Sequence, residues 1–256
     1  MNFGVQTFTV RRAQKSCIRD AYTPLIKIGI KHFEVARIKF NQRNARKIKA
    51  LIDEYGIEIV SVQVKPKDVF KNIDRVVEFC NITGCKRVVI SMLPFKCILG
   101  SEARFYSFIS SLDSLCDIYA NHGITLAYHH HNWEYIRLSN GKTRMAELLD
   151  KTERLKFVHD TYWTAKSGIS PERQIREFGN RLLGIHLRDL RFKKRGIDVV
   201  GGDGAIGDGV IDFSCVLMAA RDVGCSYLVI EQNTKKPYLD IEKSFKRLNE
   251  MAKEIL

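Results

Sequence analysis

Short apolar runs and longer amphipathic stretches alternate along the whole chain. The runs Phe3 to Thr7, His32 to Ala36, Ile57 to Val64, Arg87 to Met92, Ile124 to His129, Leu155 to His159, Leu183 to Leu187 and Tyr227 to Glu231 have the length and composition of buried strands. Between them, Asn41 to Tyr55 carries Ile48, Leu51 and Ile52 at helical spacing. Ala103 to His122 does the same with Phe105, Phe108, Ile109, Leu112, Leu115, Ile118 and Tyr119. Asp212 to Val223 and Leu239 to Ile255 read as two more helices. Gly29, Gly56, Gly84, Gly123 and Gly224 each stand just before a strand, where a left-handed residue ends the preceding helix. Strand, helix and glycine turn, repeated, is the pattern of parallel βαβ units. Eight strands in 256 residues predict an α/β protein with one domain, a single closed (β/α)8 TIM barrel over residues 1–256. An open dinucleotide-binding sheet is disfavoured, because Gln6-Thr7-Phe8-Thr9-Val10-Arg11 after the first strand holds no glycine fingerprint.

Composition narrows the class. The chain is long enough to bury a substantial core, and 45% hydrophobic content argues against disorder. No apolar run approaches the ~18 residues of a membrane span. The first residues lack the charged and apolar regions of a signal peptide, so a cytoplasmic location with no membrane partner is expected. Seven cysteines are scattered without a Cys-x-x-Cys pair, which excludes a disulfide framework and gives no support to a thiolate zinc site. The net charge of +13 would suit nucleic acid or an anionic substrate. The cations are spread over predicted helices (Arg43, Arg46, Lys47 and Lys49; Lys243, Lys246 and Arg247), so they read as a solvated surface. Nucleic acid is therefore not favoured as a partner.

In a barrel, chemistry belongs at the C-terminal ends of the strands. The fifth run leads into Tyr128-His129-His130-His131-Asn132-Trp133-Glu134, and alternation sends His129 and His131 to one face and His130 to the other. The sixth ends at His159-Asp160, the seventh offers His186, Arg188 and Asp189, and the eighth ends at Glu231-Gln232-Asn233. Gln6, Glu34 and Gln63 close the first three. Neighbouring strand ends lie ~5 Å apart. His129, Asp160, His186 and Glu231 are thus candidate ligands of one divalent ion. Trp133, Tyr162 and Trp163 are candidates for an apolar wall against a sugar ring, or for core. The segment Gly201 to Gly209 lacks the lysine and spacing of a P-loop. It reads as a flexible flap over the site, whose amides could also meet an anion.

At these residues the chain resembles the xylose isomerase-like barrel superfamily, in its sugar phosphate isomerase/epimerase branch. The resemblance runs through Gly4 to Arg11, Tyr128 to Glu134, Asp160-Thr161-Tyr162-Trp163, His186-Leu187-Arg188-Asp189, Gly207 to Phe213 and Ile230-Glu231-Gln232. It implies one divalent metal, manganese first, with cobalt, magnesium and zinc as alternatives. Asp160, His186 and Glu231 match three of the four ligands, and His129 stands where ketose epimerases have Glu. The activity implied is isomerisation or epimerisation of a sugar, sugar phosphate or cyclitol through an enediolate, with Glu231 or His131 as base. Glu134, Arg188, Gln6 and Trp163 are then candidate substrate contacts. Dehydratase or lyase chemistry on a keto-sugar or inosose starts from the same carbanion. An abasic-site endonuclease shares the barrel, but Tyr162-Trp163 replaces its Cys-His after Asp-Thr. A barrel that only binds ligand is the remaining alternative. Barrels of this branch often pair as homodimers.

Overall fold

Eight parallel strands close into a barrel in the computed structural model, which describes residues 2–255. They are β1 (Phe3–Gln6), β2 (His32–Ala36), β3 (Glu58–Val64), β4 (Arg87–Ile90), β5 (Thr125–His129), β6 (Lys156–Asp160), β7 (Leu182–Leu187) and β10 (Tyr227–Ile230), with β10 returning beside β1. β8 (Asp189–Arg195) and β9 (Asp198–Gly204) form a separate antiparallel ribbon after β7. Each predicted strand and the predicted barrel are present. The five expected turn glycines all have positive φ. At Gly56 the φ of +62° ends the helix Gln42–Tyr55, and its N–H still bonds to the Ile52 carbonyl. The expected helix over 103–122 is instead two, Glu102–Ile109 and Leu112–Ala120. The hydroxyls of Ser110 and Ser111 bond back to the carbonyls of Ser107 and Phe108 at the break and compete with the helical ladder.

Most apolar side chains pack between the strands and the outer helices. A smaller set, Val60, Val89, Ala127, Val158, Leu183, Tyr227 and Val229, fills the barrel interior. Two bulges set which residues face inward. Phe33 pairs with Ile59 but Glu34 pairs with Ser61, so Val60 is the extra residue. Phe157 pairs with Leu182 but Val158 pairs with Gly184, so Leu183 is the other. Gly184 leaves room for the Tyr227 ring, since a Cβ there would lie 2.2 Å from it.

The glycine-rich segment is not an irregular loop. Gly201, Gly202 and Gly204 belong to β9. The N–H groups of Gly207, Gly209 and Ile211 donate to the Asp189 carboxylate at 2.9, 2.7 and 3.3 Å. The anion met by these amides is the protein's own. No described helix is long and apolar enough to cross a membrane.

Candidate metal centre and its cleft

Strand register brings four ligand-type side chains to one point at the barrel mouth. His129 ends β5, Asp160 ends β6, His186 lies on β7 and Glu231 follows β10. Asp160 is paired with His186 across β6 and β7, and Val229, two residues before Glu231, is paired with His186 on its other side. One donor atom from each of the four lies within 4.8 Å of the others, and all four residues are buried.

Hydrogen bonds to the outer atoms of these side chains decide what they offer inward. Glu34 accepts from Ser61 Oγ and from Tyr227 Oη (2.9 Å) at one oxygen, and faces His186 Nε2 at 2.6 Å with the other. Burial alone would raise the Glu34 carboxyl, but His186 and the hydroxyl donors outweigh it and hold its pKa below the ordinary value. An ionised Glu34 only accepts, so His186 Nε2 carries the proton of that bond. His186 Nδ1 then points to the centre, 2.9 Å from Glu231 Oε2, off the line of a hydrogen bond and without another partner. Burial lowers the His186 pKa; the Glu34 and Glu231 carboxylates overcome this and push it up to about 10. His129 repeats the design. Its Nδ1 is 3.2 Å from the Ser91 carbonyl, which can only accept, and its Nε2 is 3.4 Å from Asp160 Oδ2.

Asp160 divides its oxygens. Oδ1 accepts from the Trp163 N–H at 2.9 Å and caps the helix Thr161–Lys166, while Oδ2 faces the centre. Arg188 Nη1 lies 3.2 Å from both Asp160 Oδ2 and Glu231 Oε1, and its other edge forms a fork with Asp203 at 2.9–3.1 Å. Three buried or nearly buried carboxylates, Asp160, Asp203 and Glu231, therefore surround the Arg188 cation, and a fourth, Glu34, faces His186. Such an excess of buried negative charge, with ring nitrogens turned inward whose proton a metal would displace, suits a divalent cation. The residues fit one.

A cleft of about 1410 Å³ opens over this point, lined at its inner end by His129, His131, Trp133, Trp163, Arg188 and Glu231. His131 sits between the Trp133 and Trp163 rings, at centroid distances of 5.0 and 5.3 Å. Burial, with His129 nearby, holds its pKa well below the ordinary value, so the ring is neutral. His130 points away, as alternation requires, and packs on His159 and Phe178 behind the barrel.

Two expected substrate contacts are placed elsewhere. Glu134 is fully buried and does not line the cleft. Its oxygens accept from the Tyr128 hydroxyl and the His131 N–H, which ties down the loop after β5. Gln6 lies behind Glu231, donating to Glu231 Oε2 at 3.1 Å and to Gln63 at 2.9 Å, which makes it a positioning residue. From sequence Glu34 was read only as the residue the second strand offers at the mouth, with no role, and Asp203 only as part of the glycine-rich segment. A charge inside the run His32-Phe33-Glu34-Val35-Ala36 was the available signal for the first. Asp203 was hidden by its glycine neighbours.

Fold and site together define a (β/α)8 barrel with a buried four-residue constellation at its mouth that could hold a metal. Residues 24–254 match the family described as Xylose isomerase-like TIM barrel, and the chain belongs to that family. It is 27% identical over 140 residues to an inosose dehydratase of Geobacillus thermodenitrificans, a match covering 48% of this chain and 45% of that protein. The matched stretch thus spans less than half of that relative. Among solved structures, a sugar phosphate isomerase/epimerase from Parabacteroides distasonis superposes with a TM-score of 0.77 at 18% identity, covering 96% of this chain and 93% of its own. The apo form of 3-keto-D-glucoside 4-epimerase from E. coli gives 0.68 at 16% identity, with 98% and 99% covered. At these identities the structural likeness is one of fold.

Proposed function

We propose that the protein is a metal-dependent isomerase or epimerase of a sugar or cyclitol, acting by proton removal next to a carbonyl. The convergence of His129, Asp160, His186 and Glu231 beside Arg188 carries this reading. These four would hold one divalent ion, manganese first, which when bound supplies Lewis-acid polarisation of a carbonyl and an adjacent hydroxyl.

Glu231 is the base. Burial would raise its carboxyl, but Arg188, 3.2 Å away, outweighs this and keeps it ionised and able to accept a proton. Gln6 holds its second oxygen in place. His131, neutral and open to the cleft, hydrogen-bonds substrate hydroxyls, while Trp133 and Trp163 cover the apolar face of the ring and exclude water. Returning the proton to the opposite face gives an epimer, and returning it to the neighbouring carbon gives an isomer.

One observation favours elimination as the outcome. His129 stands where ketose epimerases carry a glutamate, which leaves Glu231 as the one carboxylate at the inner end of the cleft suited to be a base. Loss of a β-hydroxyl as water can use a single base, which takes the C–H proton and passes it to the departing hydroxyl as the C–O bond breaks, and the partial kinship to an inosose dehydratase agrees with it.

Solvent exchange tests the reading. The metal-loaded protein in D2O, given ketoses, keto-glycosides and inososes, is expected to wash deuterium into the carbon next to the carbonyl. Glu231→Gln should slow this by about 10³-fold. An epimer or an alkene in the product spectrum separates the two outcomes. A fully loaded protein that exchanges none of these substrates would sink the proposal.

A further inference from the structure

The cleft runs outward from the four ligands across the loops that follow β1, β2 and β3, and there its charge reverses. Beyond Arg188, eight cationic side chains line it, among them Arg11, Arg12, Arg37, Lys39, Lys65 and Arg75. The lining carboxylates are two, Asp68 and Glu231. None of the eight has a carboxylate within ion-pair distance among the described residues. Elsewhere on the surface pairing is common, as in Arg19–Glu54, Lys142–Asp150 and Arg176–Asp222.

Two of these cations are held in place by neutral groups. Arg11 lies over the Phe8 ring with its guanidinium carbon 3.9 Å from the centroid, and donates to the Phe8 carbonyl and to Asn233 Oδ1. Arg37 stands 5.5 Å from the same ring. It is the one non-glycine residue with left-handed φ (+61°) among the described residues, a conformation that costs energy and persists where its surroundings impose it. Burial and the neighbouring Arg12 and Arg37 lower the Arg11 pKa, a mark of crowded like charge. Fixed guanidinium groups without counter-ions, opening on a cleft, match the geometry of a phosphate. The cleft volume of about 1410 Å³ also exceeds the ~300–1,000 Å³ typical for a drug-sized ligand, far more than one sugar ring fills.

We infer that the segments after β1, β2 and β3, through the cleft-lining Arg11, Arg37 and Arg75, form an anion subsite that holds a phosphate group of the substrate at the end remote from the reacting carbonyl. The position of that carbonyl rests on the proposed function; the subsite itself does not.

Calorimetry on the full chain in 0.15 M salt tests it with D-fructose 6-phosphate against D-fructose. The phosphorylated sugar is expected to bind at least tenfold tighter, with inorganic phosphate competing. Arg75→Ala and Lys65→Ala, both on exposed positions, should each erase most of that preference, and Arg11→Ala should do so if circular dichroism shows it folded. Arg43→Ala, next in sequence to the lining Asn44 but itself outside the cleft lining, should leave it unchanged. Equal affinity for the two sugars, or a preference indifferent to these variants, overturns the subsite. D-glucuronate binding as tightly as the phosphate would assign a carboxylate instead, and affinity for heparin fragments that climbs with chain length would assign a polymer; either overturns the phosphate assignment. A phosphate preference that persists without deuterium exchange on any substrate sinks the reaction and leaves the subsite standing.

Discussion

His186 Nε2 donates a 2.6 Å hydrogen bond to Glu34 Oε1 across the inside of the barrel, although 152 residues separate the two in the chain. The bond selects the ring nitrogen that faces the candidate metal centre. It also ties β2, which carries no ligand, to the strands that do.

Replacing that carboxylate while keeping its shape should therefore be felt at the centre. Glu34→Gln is expected to weaken manganese binding by about 10- to 100-fold, the usual effect of losing an outer partner of a ligating histidine. Titration of the metal followed by electron paramagnetic resonance reads this directly. Unchanged affinity would mean that Glu34 does not orient His186.

Metal content is the simplest check on the four ligands. The purified protein should take up one divalent ion per chain, and Asp160→Ala should abolish this. The same change removes a helix cap and should cost about 1 kcal/mol of stability in urea unfolding. Three zinc ions per chain would instead point to nuclease chemistry.

Gly184→Ala places a methyl group 2.2 Å from the Tyr227 ring, and the ring must move. A destabilisation of about 1–3 kcal/mol is expected from overpacking. Because Tyr227 Oη reaches Glu34, metal affinity should fall as well. Tyr227→Phe separates the two effects, since it removes the hydroxyl without the clash. A Gly184→Ala protein with native stability would refute the packing described here.

Asp208 links the segment after β9 to the C-terminal helix Pro237–Ile255 through Lys243 (2.7 Å) and Arg247 (2.8 Å). Slight burial opposes ionisation, but the two cations outweigh it, so the folded pKa lies below 3.8. A depressed carboxylate stabilises the fold above its unfolded pKa and loses that contribution as pH falls through the folded value. Asp208→Asn should accordingly cost about 1 kcal/mol at pH 7 and progressively less below pH 4. A stability gap that stays constant down to pH 2 would contradict this sign.

The barrel was legible in the sequence because its signals are local. Strand runs, helical spacing and terminal glycines are relations between residues a few positions apart, and β1 to β7 and β10 follow them. The four candidate ligand positions were legible for a related reason, since each is the polar residue that ends or follows an apolar run. The helix break at Ser110-Ser111 was missed because two back-bonding hydroxyls do not disturb the apolar spacing on either side.

What the chain alone determined is a closed (β/α)8 barrel with His129, Asp160, His186 and Glu231 at strand ends. Tertiary structure decided the rest. The bulges at Val60 and Leu183 decide which side chains face inward, and long-range contacts turn Glu134 into a buried loop support and Gln6 into a prop for Glu231. Of the helix cations that read as a solvated surface only Lys47 lines the cleft, where cations from other segments, Arg11, Arg37, Lys65 and Arg75 among them, come together. Periodicity encodes the strand, but a side chain's partner depends on register and closure, which join residues tens to hundreds of positions apart.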